Sequence, residues 1–301
     1  MPMKYDKQPI NIPQQLQILK QRGLLVSDPS EAIEVLNSIS YFRLASYWQS
    51  LEVQDSDSHE FISGSRFEDV VNLYLFDKKL RSLIFSAIQD IEIALRTRII
   101  QHFSLRYGAF WFMDSTLFKN EIIFNNCFDN INKEVKRSTE VFLKVHFEKY
   151  DEPALPPVWK TMEVASFGTL SKLFCNFKDV EVKKEVAKSF GLPQYSYMES
   201  WMKSISALRN CCAHHGRLWN KRFPLIPQMP SRLPLCWIST KPRQQFKLYA
   251  PLCCLAYLEQ SIKPQSTFTQ EIVSLLTNVQ NSILKSMGIP SDWDKDPLWQ
   301  K

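Results

Sequence analysis

SWMKSISALRNCCAHHGRLWN, residues 200–220, is the stretch that most strongly indicates both the fold and a site. At 100° per residue its large apolar side chains fall on one stripe, which is the pattern of a helix with a single buried face. The sequence therefore predicts a helix from Tyr195 to Asn220 that packs against a core. His215 falls on the apolar stripe and is expected to be a neutral core histidine. The full stripe consists of Trp201, Ile205, Leu208, Cys212, His215 and Trp219.

The other side of this helix carries Arg209, Asn210, His214 and Arg217. Asn210, His214 and Arg217 are spaced four and three residues apart, so they lie on one edge. Arg209 starts beside Asn210, and five residues of helix rise about 7.5 Å, a gap that an arginine can span. Lys and Glu dominate idle exposed helix faces, yet neither occurs between residues 204 and 220. This composition favours an anion-binding face over the alternative, a solvated polar surface.

The rest of the composition favours a helical protein. Hydrophobic residues make up 45% of the 301 residues and charged residues 23%, which allows a substantial core. Only 7 residues are Gly, and tight β-hairpins depend on Gly, so a strand-rich fold is disfavoured. No G-x-G-x-x-G or Walker loop is present, which argues against a nucleotide-binding α/β enzyme. The formal net charge of +6 permits a polyanionic partner without requiring one.

The cysteines favour a reduced, cytoplasmic protein. There are 7, an odd number, and no pair has the C-x-x-C spacing. That pattern suits neither a disulfide framework nor a zinc site. The N-terminus lacks the charged and apolar parts of a secretion signal, and no apolar run is long enough for a membrane span. We therefore expect buried thiols, no metal and no membrane partner.

The order of predicted elements is an N-terminal helical extension over residues 1–65 followed by a helical core over 66–301. Asp28 and Pro29 predict the start of an early helix, since Asp is a preferred N-cap and Pro a preferred first-turn residue. A long helix is predicted from Arg66 to Tyr107, ended by Gly108. Later helical segments are expected over 120–150, over 160–190 as a pair, and near 244–261 and 268–287. Residues 221–243 contain five prolines, so they are predicted to be a long Pro-rich loop without regular helix.

The long helix carries a second group of polar candidates. Its apolar stripe runs through Leu80, Ile84, Ala87, Ile91 and Leu95, and the same spacing continues to Arg98 and His102. Two ionisable groups on a buried face need partners or an interface. Arg96 and His102 also have an arginine-to-histidine spacing close to that of Arg209 and His214. This segment either contributes to an interface or is structural, with Arg96 paired to Glu92 one helical turn away.

Several blocks of the sequence are similar to the Abi family, bacterial abortive-infection proteins of the AbiD/AbiF type. Arg209 with Asn210 directly after it, and His214 after four intervening residues, resembles the catalytic signature of HEPN ribonucleases. The likeness covers nearly the whole chain. Besides residues 200–223, the similar blocks are AIEVLNSISYFRLASYW (32–48), FDKKLRSLIFSAIQDIEIALRTRI (76–99), YGAFWFMD (107–114), EVASFGTLSKLF (163–174) and MGIPSDWDKDPLW (287–299).

The resemblance implies an all-α, HEPN-like helical bundle with a phage-defence or toxin-like role. It implies that Arg209 stabilises the scissile phosphate, that Asn210 orients the motif or the phosphate, and that His214 is the general acid/base. The implied reaction is RNA cleavage by the ribose 2′-OH, with a 2′,3′-cyclic phosphate as product and without metal or other cofactor. It also implies a composite site in which the motif helices of a homodimer face one another.

Arg96, with five residues before His102, also falls within the looser HEPN pattern. The segment with Arg96, Arg98 and His102 could therefore form a second half-site within the same chain, or contact RNA or a second subunit.

Basic residues that follow the motif are candidates for contact with the RNA backbone, namely Arg217, Lys221 and Arg222. Residues 178–189, KDVEVKKEVAKS, are expected to form a charged solvent face. Two other functions stay open at this point. The chain could be a non-cleaving module that holds a structured small RNA or a partner protein, or a purely structural dimerisation protein.

Overall fold

A computed structural model describes residues 8–53 and 58–300 of the chain. The first seven residues of the predicted extension, residues 54–57 within it and the last residue lie outside the described residues. The described part contains thirteen α-helices and no strand, so the all-α prediction is confirmed. The helices are α1 (Ile12–Gln21), α2 (Pro29–Ser38), α3 (Tyr41–Trp48), α4 (Phe67–Tyr107), α5 (Glu121–Arg137), α6 (Val141–Lys149), α7 (Val158–Val164), α8 (Phe167–Asn176), α9 (Val180–Ser189), α10 (Tyr195–Ala213), α11 (Tyr249–Ile262), α12 (Phe268–Thr277) and α13 (Asn281–Ser286).

The chain divides into two compact units, Met1–Lys79 and Leu80–Lys301, with the boundary inside α4. In the first unit, Asp28 caps α2 as predicted, because its Oδ1 accepts the N–H groups of Ser30 and Glu31 at 2.8 and 3.1 Å. The first part of α4 contacts α3 through Tyr47, whose hydroxyl donates to Asp77 at 2.7 Å. Both of these side chains are buried, so the hydrogen bond satisfies two polar groups removed from water.

Helix α10 lies at the centre of the second unit, where it packs against α8, α9 and α11. Its buried face includes Trp201, which stacks on Trp237 with ring centroids 5.6 Å apart. The indole N–H of Trp201 donates to the carbonyl of Gln228 at 2.7 Å. Because Gln228 and Trp237 both belong to residues 221–243, these contacts anchor the Pro-rich segment against α10. That segment contains no helix, as predicted.

The segment between α6 and α10 differs from the predicted pair of short helices. It forms three helices, α7, α8 and α9, because two polar side chains start new helices. The hydroxyl of Ser166 accepts the N–H of Thr169 at 3.2 Å, and Asp179 accepts that of Glu181 at 2.7 Å. Gly168 lies inside α8 rather than between helices.

The apolar stripe of α4 is confirmed up to Leu95, and its continuation is not the predicted one. Beyond Leu95 the fully buried residues are Ile99 and Phe103, each four positions further on. Arg98 and His102 therefore lie beside the stripe, where they are half-buried. Assigning them to the buried face was wrong because the next step along the stripe is four residues rather than three.

The predicted solvent face at residues 178–189 contains one fully buried charge. The Nζ atom of Lys183 lies 2.7 Å from Oε1 of Glu199 and 3.0 Å from the carbonyl oxygen of Cys175. Desolvation lowers the pKa of Lys183, and the Glu199 carboxylate opposes that shift. Lys183 and Glu199 thus form an ion pair that links α9 to the start of α10.

All seven cysteines are free, and Cys127, Cys212, Cys253 and Cys254 are buried. Burial raises the pKa of the Cys253 and Cys254 thiols well above their usual range, so these thiols stay protonated and unreactive. Among residues 8–53 and 58–300, no helix has both the length and the apolar composition needed to cross a bilayer.

Candidate functional site at the end of helix α10

Helix α10 ends at Ala213, seven residues before the predicted end at Asn220. The N–H of His215 donates to the carbonyl of Cys212 at 3.0 Å, and the N–H of Gly216 donates to that of Cys211 at 2.7 Å. These two hydrogen bonds form a Schellman motif, which closes a helix with one residue in the left-handed conformation. That residue is His215, with φ of 55°.

Gly216 makes this tight ending possible. A Cβ atom at this position would lie 2.8 Å from the sulfur of Cys211 and 3.0 Å from its carbonyl oxygen, so a larger residue would collide with the helix. Histidine enters the left-handed region more readily than most residues. The helix end was not predicted because glycine usually occupies the left-handed position itself. Here His215 occupies that position and Gly216 follows it.

The early end of the helix changes the environment of both histidines. His215 leaves the apolar stripe and is exposed, so its prediction as a core histidine was wrong. His214 is also exposed, as predicted. Trp219 is buried, but it reaches the core from the loop after the turn rather than from the helix.

Helix α4 supports this turn through Arg81, a residue that the sequence did not single out. Arg81 is buried, and its Nη1 donates to the carbonyl of Gly216 at 3.4 Å. The contact fixes the loop that carries His215 against α4. A signal for it was present, since Arg81 follows Leu80 at the start of the buried stripe, where a charge needs a partner.

Helix α4 also supplies the partner of Arg209. The Nε atom of Arg209 lies 3.8 Å from Oε2 of Glu92, and the side chain keeps 37% of its surface exposed. Its Nε atom is buried and has no hydrogen-bond partner among the described residues. The carboxylate therefore holds the guanidinium at Nε, while the exposed part of the side chain can face a bound anion. The motif segment itself contains no carboxylate, because the partner of Arg209 lies on another helix.

Glu92 is shared with Arg96. The Nη2 atom of Arg96 lies 3.0 Å from Oε1 of Glu92, which confirms the ion pair that the sequence allowed as the structural alternative. Arg96 is 11% exposed and also donates to the carbonyls of Ala165 and Glu163, at 3.0 and 3.3 Å. The guanidinium of Arg96 thus binds α4 to residues 163–165, at the end of α7 and the turn before α8. The Glu92 carboxylate therefore serves two arginines, Arg96 and Arg209.

The last turns and the cap of α10 carry the three motif residues, Arg209, Asn210 and His214. The side chains of Asn210 and His214 are exposed. The carbonyl of Asn210 accepts the N–H of His214 at 3.1 Å, so helical hydrogen bonding extends to the residue that carries the imidazole. A guanidinium, an amide and an imidazole together offer anion-binding donors and a group that transfers protons near neutral pH.

Arg98 and His102 have partners on or next to α9, not on α10. The guanidinium of Arg98 lies over the ring of Phe190 at 3.9 Å and donates to the carbonyl of Ser189. Nδ1 of His102 is 3.4 Å from a carboxylate oxygen of Glu185. These contacts tie α4 to α9 and give both side chains structural partners.

A cluster of cations follows the motif. Arg217 lies over the ring of Trp219 at 5.6 Å, and Arg222 over that of Phe246 at 4.2 Å. Lys247, which the sequence did not single out, donates to Oδ1 of Asn220 at 2.7 Å. Burial lowers the pKa of Lys247, and so does the repulsion of Arg222 and Arg217. The loop after α10 therefore presents positive charge next to the exposed histidines, with Lys221 between its two arginines.

Fold and site together define an all-helical protein with an arginine–asparagine–histidine site at the end of a central helix. Residues 34–220 match the model of the family described as Abi-like protein, and the chain belongs to that family. The match includes both α4 and the whole of α10. Membership places the chain among abortive-infection proteins, the general class of phage defence. The chain matches no curated protein and no solved structure.

Proposed function

We propose that this protein is a metal-independent endoribonuclease of the HEPN type, within the AbiD/AbiF group of abortive-infection proteins. The observation that carries the proposal is the ion pair and the partial exposure of Arg209. Its guanidinium is held at Nε by Glu92, its side chain stays 37% exposed, and it shares the end of α10 with the exposed imidazole of His214. Guanidinium groups bind phosphate oxygens with charge-assisted hydrogen bonds, and a nearby imidazole can move protons.

In the proposed reaction, Arg209 binds the scissile phosphate and stabilises the charge that builds up on its oxygens. Asn210 orients the phosphate. His214 accepts the proton of the ribose 2′-OH while O2′ attacks the phosphorus. The bond between phosphorus and O5′ breaks, and O5′ takes up a proton. The products are a 2′,3′-cyclic phosphate and a 5′-OH, and the need for a 2′-OH restricts the substrate to RNA.

The proposed site is completed by a second copy of the chain. One imidazole cannot accept the proton of the 2′-OH and at the same moment donate a proton to O5′. Two α10 ends facing each other in a homodimer would provide two imidazoles, one for each step. The exposure of His214 and of Asn210 leaves this end of the helix accessible to such a partner.

The second candidate function is a module that binds a structured RNA, or a partner protein, without cleaving it. The cations after α10, Arg217, Arg222 and Lys247, favour it, because they can bind phosphates without any proton transfer. Under this alternative, Arg209→Ala weakens RNA binding whereas His214→Ala changes little.

The test is incubation of the purified protein with end-labelled RNAs, structured and unstructured, in EDTA. The proposal expects cleavage that depends on His214 and leaves 2′,3′-cyclic phosphate ends. These ends are detected by their resistance to ligation until the ring is opened and the resulting monophosphate is removed. RNA that is bound but stays intact would select the binding module. Cleavage that stops in EDTA would contradict the metal-independent mechanism.

Glu92→Gln is expected to lower the rate of RNA cleavage about tenfold or more, an effect typical of a lost positioning partner. The substitution keeps the shape of the side chain but removes the charge that holds Arg209, which leaves Arg209 and Arg96 without a shared counterion. Because Glu92 acts through Arg209, the cleavage rate constant should fall even at saturating RNA. The double variant Glu92→Gln with Arg209→Ala should cleave RNA only slightly more slowly than Arg209→Ala alone.

The matched control for Glu92→Gln is Glu163→Gln. The Glu163 carboxylate is 56% exposed and 4.0 Å from Arg96, so its charge contributes little. This variant is expected to cleave RNA at the wild-type rate. If Glu92→Gln has the same activity as Glu163→Gln, with both proteins folded, then Glu92 does not position Arg209 for catalysis.

A further inference from the structure

A cleft of about 560 Å³ lies in the C-terminal part of the second unit, beyond the residues that match the family model. One wall is the end of the Pro-rich segment and the turn after it, residues 239–244. The other wall is the end of α13 and the chain that follows it. The lining residues are Ser239, Thr240, Lys241, Pro242, Arg243, Gln244, Lys285, Gly288, Ile289, Pro290, Ser291, Asp292, Lys295 and Asp296.

The charges of this cleft suit an anion. Four cations line it, Lys241, Arg243, Lys285 and Lys295, and all four are exposed. Within the described part of the chain, none of the four lies in an ion pair. Two carboxylates also line the cleft, but Asp296 accepts the N–H of Ser239 at 2.7 Å and so holds the wall itself together. The hydroxyls of Ser239, Thr240 and Ser291 add neutral donors that can bind phosphate oxygens.

The two walls are held in contact by a glycine. Gly288 has φ of 79°, and a Cβ atom there would lie 2.7 Å from Cβ of Lys247 and 3.3 Å from the carbonyl oxygen of Gln244. Only glycine allows both the left-handed conformation and this close approach. Behind the walls, Pro242, Ile289 and Trp293 are buried in the core. The shape of the cleft is therefore set by packing and exists before any ligand binds.

Lys247 connects the cleft with the end of α10. Its N–H donates to the carbonyl of Gln244, a cleft residue, at 2.9 Å. Its ammonium donates to Oδ1 of Asn220, in the loop after the motif, at 2.7 Å. Arg217 and Arg222 lie within three residues of Asn220 in that loop. Positive charge thus continues from the cleft to the loop that carries the motif histidines.

We propose that this cleft binds the sugar-phosphate backbone of the RNA whose scissile bond lies at the end of α10. The inference rests on the proposed function in that it takes RNA as the ligand. It adds a binding site made of residues 239–296 that holds the strand away from the reacting phosphate. The recognition is by charge and hydroxyl donors, so it reads the backbone rather than the bases.

The test is RNA binding by two quadruple variants, both made in the non-cleaving His214→Ala background. The cleft variant carries Lys241→Gln, Arg243→Gln, Lys285→Gln and Lys295→Gln. The control carries Lys133→Gln, Lys136→Gln, Arg137→Gln and Lys144→Gln, which remove the same number of lysines and arginines from exposed positions on α5 and α6. The probe is a labelled 20-nucleotide single-stranded RNA, measured by fluorescence anisotropy between 50 and 300 mM salt.

The cleft variant is expected to bind the RNA at least about tenfold more weakly than the control at 0.15 M salt. The slope of log affinity against log salt should become shallower by about two to three, since each lost phosphate contact in a single strand contributes about 0.7. Equal affinities of the two variants overturn the proposal. So does an unchanged RNA affinity combined with lost binding to vesicles that contain anionic lipid, which would assign the cleft to a membrane surface. If the quadruple variant does not fold, Lys241→Gln with Lys285→Gln must give at least a threefold loss.

An RNA cleavage assay with His214 intact distinguishes failure of this inference from failure of the proposed function. If the protein cleaves RNA through His214 while the cleft variant keeps its affinity, only the cleft proposal fails. If RNA is never cleaved but the cleft variant binds it more weakly than the control, the nuclease proposal fails and the cleft proposal stands.

Discussion

His214→Ala is expected to reduce RNA cleavage by about 10²–10⁴-fold, the range that general acid–base groups contribute. In the proposed reaction, the imidazole of His214 at the end of α10 accepts the 2′-OH proton. Its side chain is exposed, so its removal leaves no cavity in the core. The variant should therefore melt within a few degrees of the wild type and keep its affinity for RNA. Single-turnover cleavage with excess enzyme is the appropriate measurement, since it isolates the chemical step.

The control for this prediction is the neighbouring histidine. His215 is exposed as well, but it occupies the left-handed position of the helix end, with φ of 55°. His215→Asn removes the imidazole and places a residue there that tolerates this conformation. It is expected to cleave RNA within a few-fold of the wild-type rate. A large loss in His215→Asn with normal activity in His214→Ala would assign the proton transfer to the other ring.

Glu199→Ala is expected to destabilise the protein by about 3 kcal/mol or more, because it leaves the ammonium of Lys183 buried without its counterion. Lys183 is fully buried, and its other polar contact is the carbonyl of Cys175 at 3.0 Å. The pair joins α9 to the first turns of α10, so its loss should also loosen the helix that carries the motif. Urea unfolding followed by circular dichroism gives the change in the free energy of unfolding.

Replacing both partners tests the cause of this loss. The double variant Lys183→Met with Glu199→Leu removes the buried charge together with its counterion, and apolar replacements of buried pairs are often nearly neutral. We expect it to be more stable than Glu199→Ala by at least about 2 kcal/mol, most of the penalty of an uncompensated buried charge. If the double variant is the less stable of the two, the loss in Glu199→Ala comes from packing rather than from the buried ammonium.

Periodicity and capping residues predicted the elements that depend on local interactions. The long helix α4 was predicted to within one residue, since Gly108 ends it and an uninterrupted apolar stripe runs along it. The cap of α2 by Asp28 followed from residue type alone. Ser166 and Asp179 cap α8 and α9, two helices that the glycine positions did not predict.

The candidate site was predicted only in part because half of its contacts come from a distant helix. Arg209, Asn210 and His214 could be identified because they share one short segment. Glu92, more than 100 residues earlier, could not, since nothing in its own neighbourhood indicates that it meets α10. The position of Arg81 beside the buried stripe indicated that it needs a partner, but not that the partner is Gly216. The position of His215 was mistaken for a similar reason. Its orientation depends on the close approach of Gly216 to Cys211, which shortens the helix.

By itself the sequence determined an all-helical chain, the order of most of its helices and the chemical character of the motif. These properties follow from the helical repeat and from residue type, both of which are local. Only the tertiary structure decided that Lys183 is buried, that Glu92 is shared by Arg96 and Arg209, and that four cations far from the motif line one cleft. Burial and ion pairing depend on which helices meet, and that is settled by packing over the whole fold rather than by neighbours along the chain.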